Sequence, residues 1–202
     1  MTNNTNNEIK KVETTTTTIT GIKRDFILNE NVTESSVKDI IIGIQAVNRH
    51  DDKKQKEDPK YVREPITLIV GSYGGSVYDG FALVAVIDTS ETPVHTYCFG
   101  KAMSMGFIIF ASGHKRFAHP LATFMYHQIS TALGGVIQEI KESLEQSEVL
   151  MVTYDNYILE HTNVPKHKMD YAKERKQDWY IPATEALHYG LVDELLVSKR
   201  NK

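Results

Sequence analysis

Apolar residues fall along this chain in short bursts between polar runs, and two spacings alternate among them. In "NVTESSVKDIIIGIQAVNR" (31–49), Val37, Ile40, Ile41, Ile44 and Val47 share one helical stripe, and Thr33 stands where an N-cap belongs. The charged stretch "NRHDDKKQKEDPKYVREP" (48–65) predicts an exposed loop. "ITLIV" (66–70) is a β-branched run that predicts a strand buried on both faces, and it runs into "GSYGGSV". A helix is expected next, with Phe81, Val84 and Ala85 inward and Asp88 near its end. "VHTYCFG" (94–100) and "TFMYHQ" (123–128) predict two further strands, with a buried helix, "MGFIIFASG", between them.

From Gly135, residues Val136, Ile140, Leu144, Met151, Tyr154 and Ile158 keep one face apolar over a long helix that Pro165 cannot continue. "IPATEALHYGLVDELLV" reads as a capped helix closed by Gly190, then a short strand. Strands alternating with helices predict an α/β fold with crossover helices packed on a sheet. Residues 1–18, rich in Thr and Asn, have too little apolar surface to offset ordering and predict a flexible tail.

Composition narrows the function classes. A formal net charge of −3 gives no basic footprint for nucleic acid or an anionic membrane. The single cysteine, Cys98, excludes an internal disulfide framework and fits a reducing compartment. No apolar run approaches the length of a bilayer span, and the N-terminus has no apolar signal core, so a cytoplasmic protein is expected.

The candidate chemistry lies in "GKAMSMGFIIFASG" (100–113). Ser104 stands between a strand and a helix, where free backbone N–H groups and the positive end of the helix dipole gather. Local context leaves two readings open, a helix N-cap and a nucleophile. Small neighbours, Ala102 and Gly106, would let a carbonyl approach, and Gly74 and Gly75 could present a second N–H donor. Eight histidines offer several possible bases. His127 stands out because it ends an apolar strand that could hold its ring in one tautomer. No H-E-x-x-H or paired C-x-x-C motif supports a metal site.

Four blocks in order then resemble the ClpP family of self-compartmentalising serine peptidases: "GSYGGSVYDGFAL", "CFGKAMSMGFIIFASGHKRFAHP", "TFMYHQ" and "QDWYIPATEALHYGLVDELL". The resemblance covers about residues 64–196. It implies Ser104 as nucleophile, His127 as general base and Asp178 as the group orienting the imidazole. It also implies the backbone N–H groups of Gly75 and Met105 as oxyanion donors, with Gly74, Gly75, Gln128 and Ile129 binding extended substrate by strand addition.

The fold implied is ClpP/crotonase-like, with stacked ββα units in one domain (19–198) and a protruding handle helix at about 135–161. It further implies polypeptide substrates and a homo-oligomeric ring, a heptamer or stacked double heptamer. A AAA+ unfoldase would be the possible partner and the only user of ATP, with no cofactor in this chain. Departures from the family pattern are Gly71-Ser72-Tyr73 in place of Asn-Ser-Pro, Ile129 in place of proline and Gln177 in place of arginine. The stretch before the first strand, "GIKRDFILNEN", is also abbreviated. These departures raise an alternative, a catalytically impaired ClpP-like assembly subunit. A crotonase-type acyl-CoA enzyme is a third class, lacking here both a CoA surface and a glutamate acid/base.

Overall fold

The computed structural model describes residues 21–130 and 134–197. The expected N-terminal tail lies outside them.

The chain opens with β1 (Asp25–Leu28), α1 (Glu34–Glu57), β2 (Ile66–Val70), α2 (Val77–Asp88) and β3 (Val94–Cys98). There follow β4 (Lys101–Met103), α3 (Met105–Ala111), β5 (Lys115–Ala118) and β6 (Thr123–Tyr126). The last part holds α4 (Ile137–His161), α5 (Lys166–Arg175), β7 (Trp179–Pro182), α6 (Ala183–His188) and β8 (Glu194–Leu195). Five strands form a parallel sheet in the order β1-β2-β3-β5-β8, and β4-β6-β7 form a second, smaller sheet. This is the expected α/β architecture.

A monotonic strand order sends successive right-handed crossovers over one face of the large sheet. That face is closed: Ile66, Leu68, Val70, Val94, Thr96 and Cys98 are all buried. The alternate residues Thr67, Ile69, His95 and Tyr97 are only half-buried, so ITLIV is not buried on both faces as its composition predicts. On this second face Tyr97 stacks on Phe117 with centroids 4.7 Å apart, and Phe99 extends the row in the open.

Helix α3 explains the apolar density of its sequence. Every residue from Met105 to Ala111 is buried, because the helix is packed between the two sheets and beside α2 and α4. Phe110 and Phe107 meet Phe124 of β6 from this position.

Other expectations change as well, among them that "GIKRDFILNEN" precedes the first strand, since its Asp25–Leu28 is β1. The stretch 48–65 is not all loop: α1 runs on to Glu57, because Asp51 within it is buried against Arg24, Tyr61 and Thr92. The inward face of α2 is Gly80, Leu83, Val84 and Ile87, leaving Ala85 exposed. Residues 101–103 form β4, so the chain passes from the large sheet to the small one at Phe99–Gly100 before α3 begins. Helix α4 begins at Ile137, and only its second half is anchored, through Met151, Tyr154, Asp155 and Ile158.

Candidate active site

The small sheet supplies the geometry. β4 and β6 run parallel with Met103 opposite Met125, so Ser104 and His127 both emerge past the carboxyl ends of neighbouring strands. β7 runs antiparallel to β6 with Tyr126 opposite Trp179, so the next pair outward is His127 and Asp178. Residues separated by long stretches of chain are thereby brought to one edge by strand register alone.

Ser104 precedes α3 but does not cap it: its side chain makes no capping bond. Its Oγ instead lies 2.9 Å from His127 Nε2. The Ser104 backbone has φ +50° and ψ −123°, a left-handed conformation that costs a non-glycine residue about 1–3 kcal/mol. Such a conformation persists only where its surroundings hold it. Here the Ser104 N–H donates to the Met125 carbonyl at 2.9 Å, and the Ser104 carbonyl accepts from the Phe107 N–H at 2.9 Å and the Tyr154 hydroxyl at 2.8 Å. Burial, and then the neighbouring Asp155 carboxylate, push the Tyr154 phenol well above its ordinary pKa, so it remains a donor.

On the other side of the imidazole, His127 Nδ1 is 3.6 Å from Asp178 Oδ1, beyond ordinary hydrogen-bond length. The Asp178 side chain is 46% exposed, and its Oδ2 accepts from the Tyr180 hydroxyl at 3.3 Å. Uncomplexed catalytic sites are commonly this loose.

The loop after β2 lies against Ser104. Buried Ser72 donates to the Glu30 carbonyl at 2.5 Å and accepts from the Gly74 N–H at 3.0 Å. The Gly74 carbonyl accepts from the Val32 N–H, and the Ser76 N–H donates to the Val32 carbonyl, which pins the loop to the segment after β1. Among the described residues, these ties leave the N–H groups of Gly75 and Met105 unengaged. Gly74 has φ +104°, and a Cβ there would lie 2.7 Å from Ser104 Cβ and 3.0 Å from Met105 N. Gly71, where the family pattern has asparagine, is explained locally: the Asn29 side chain fills the place of its missing Cβ.

A cleft of about 310 Å³ opens over Ser104 and His127, walled by Val77, Met105, Ile129 and the rings of Tyr73 and Tyr154, with Gly74 and Gly75 at its edge. Ile129 lines it, although its N–H is turned to the Met151 thioether at 3.3 Å; Gln128 is exposed and outside the lining. Tyr73 stands 65% exposed beneath the Lys101 ammonium, 4.3 Å from the ring centroid. Sequence reasoning missed Ser72, Tyr126 and Asp155, and took Tyr154 only as core. Short polar residues in apolar runs were the available signal, but it does not say which partner each one meets. Among the described residues no group of three His, Cys, Asp or Glu side chains could hold a metal ion.

Comparison with known proteins identifies the family. A Clp protease family model matches residues 10–199. The chain is 32% identical over 153 residues to an ATP-dependent Clp protease proteolytic subunit of Dehalococcoides mccartyi, covering 73% of this chain and 72% of that one. It is 30% identical over 145 residues to the protein of the same description from Deinococcus radiodurans, covering 71% and 70%. With a family match over nearly the whole chain, this chain belongs to the Clp protease family.

Proposed function

We propose that the chain is a ClpP-like serine endopeptidase subunit that cleaves unfolded polypeptides, with Ser104, His127 and Asp178 as its triad. The observation that carries this is the 2.9 Å contact between Ser104 Oγ and His127 Nε2, at an edge where strand register sets Asp178 behind the ring. His127 takes the hydroxyl proton as Ser104 attacks the scissile carbonyl, and Asp178 supports the imidazolium that forms. The N–H groups of Gly75 and Met105 receive the oxyanion, each such donor contributing about 3–4 kcal/mol in the transition state. Collapse of the intermediate expels the amine, protonated by His127, and water then hydrolyses the acyl-enzyme by the same route in reverse.

The cleft mixes apolar walls with polar groups, and main-chain pairing at Gly75 and Ile129 would hold the extended substrate with little sequence selectivity, the N–H and carbonyl of Gly74 being engaged by Ser72 and Val32. The binding role expected of Gln128 would then be limited to its backbone, since its side chain faces solvent. None of these steps draws on a cofactor.

Family membership implies oligomeric assembly and Clp ATPase partners. The finer reading is a heptameric ring, single or stacked through α4, that encloses the sites. The exposed Phe99 ring, stacked on the half-buried Tyr97, supports a further contact there with a AAA+ unfoldase, which alone would use ATP. No helix among the described residues is long and apolar enough to cross a membrane, and a cytoplasmic site of action fits the lone buried thiol.

The 3.6 Å gap to Asp178 favours one alternative, an assembly subunit with an idle triad. Reaction with a fluorophosphonate separates the two readings. The active enzyme gains one adduct on Ser104, whereas an idle triad stays unmodified. Ser104→Ala is expected to lower cleavage of a fluorogenic peptide by about ten-thousand-fold or more while leaving the native mass unchanged. Full cleavage by that variant would overturn the assignment.

A further inference from the structure

Helix α4 touches all three segments that carry the proposed triad, and it does so through two adjacent residues. Tyr154 donates to the carbonyl of Ser104 at 2.8 Å. Asp155 accepts from the Tyr126 hydroxyl at 2.6 Å, and Tyr126 is the residue before His127. The other oxygen of Asp155 is paired with the ammonium of Lys173, on the last turn of α5, from which the chain turns through left-handed Lys176 to Asp178. Nucleophile, base and carboxylate are thus each tied to the same step of one helix.

These ties are interior. Tyr126 is fully buried, Tyr154 is 3% exposed and Asp155 is 9% exposed. A buried carboxylate is costly unless its partners are all in place, and an apolar residue of similar size commonly serves stability as well or better. Stability alone therefore does not account for Asp155, whereas its contacts fix the relative placement of β6 and α5. The Tyr154 hydroxyl acts on the one non-glycine backbone of the site held in a left-handed conformation, and so fixes where the Ser104 side chain points.

Resting on the reading of Ser104, His127 and Asp178 as the triad, we propose that Tyr154 and Asp155 are positioning residues. They set the distances among the three catalytic groups without touching substrate chemistry themselves. Misplacement of reacting groups by an ångström is enough to lower a rate by about a hundredfold.

The test uses the full chain in its assembled state. Tyr154→Phe keeps the ring that lines the cleft and removes only the hydroxyl. It is expected to lower kcat for a fluorogenic peptide by about ten- to a hundredfold with KM within about twofold of the parent. The rate of fluorophosphonate modification at Ser104 falls by the same factor, because that reaction reports alignment without peptide binding. Asp155→Asn, which retains an acceptor for Tyr126, is expected to fall between the parent and Asp155→Ala in both measurements. Native mass is recorded for each variant, and where Asp155→Ala does not assemble, Tyr126→Phe carries the second arm.

Modification of Tyr154→Phe and of the second-arm variant at the parental rate overturns the inference. So does a raised KM with unchanged kcat in Tyr154→Phe, which would make the tyrosine only a cleft wall. A parent chain that does not react at Ser104 defeats the triad reading, and this inference with it.

Discussion

Ser104, the proposed nucleophile, and Gly74 form a close backbone contact in which neither side has room to adjust. Ser104 is held at positive φ by bonds from three directions, and Gly74, at φ +104°, lies where a methyl group would meet Ser104 Cβ, the Met103 carbonyl oxygen and Met105 N, all within 3.0 Å. Alanine at 74 is therefore both conformationally strained and sterically excluded, and the strain would fall on the serine and the oxyanion donor beside it. Gly74→Ala is expected to lower kcat/KM by about a hundredfold and stability by about 1–3 kcal/mol. Peptide kinetics and thermal denaturation measure the two effects separately. Tyr73, the next residue back, shows the opposite condition. Its ring is exposed under Lys101, an arrangement worth about 0.5–1 kcal/mol, and it walls the cleft from outside without constraining the backbone.

Among the elements, α1 shows how a charged sequence can be structural. Burial would raise the Asp51 carboxyl, but bonds from Arg24, His50, Thr92 and Tyr61 outweigh it and hold the group well below the usual carboxylate range. A depressed folded pKa contributes stability above the unfolded value of about 4, and that contribution is lost as pH falls from there towards the folded value. Asp51→Asn is expected to cost about 3–5 kcal/mol at neutral pH, because it leaves Arg24 without its buried counter-charge. Urea denaturation of parent and variant should show this difference shrinking as pH drops below about 4.

The same network marks where sequence reasoning stops. Long stripes such as Val37 to Val47, and the apolar strands 66–70 and 94–98, were legible because a repeated period accumulates signal. The continuation of α1 to Glu57 was not, since its charged residues pair with Arg24 and Thr92, distant in sequence, and with Arg63 beyond the turn that follows the helix. β1, β4, β5 and β7, each three or four residues long, are too short to show a period, and β4 is a strand only because β6 lies beside it. Ser104 and His127 could be singled out by their settings, though choosing nucleophile over cap required the family blocks. Asp178 had no local signal at all, because the register of β6 against β7 sets its place.

At the scale of the whole molecule, the anchored half of α4 holds the proposed positioning pair, while its outer half presents Ile137 and Leu144 to solvent, and Val149 and Val152 continue the exposed apolar side around Met151. An apolar stripe left open along a projecting helix marks a contact with another chain. Ile137→Glu combined with Leu144→Glu is expected to halve the native particle mass if rings stack through α4, as read by native mass spectrometry. An unchanged mass would refute stacking through that surface.

Cys98, the only thiol in the sequence, is wholly enclosed beneath the large sheet, where burial pushes its pKa up to about 12. Maleimide chemistry at neutral pH therefore starts from a silent background. A cysteine introduced at any exposed position could carry a dye or spin label without first deleting the native one, so separations between subunits become measurable in a particle whose interior is otherwise untouched.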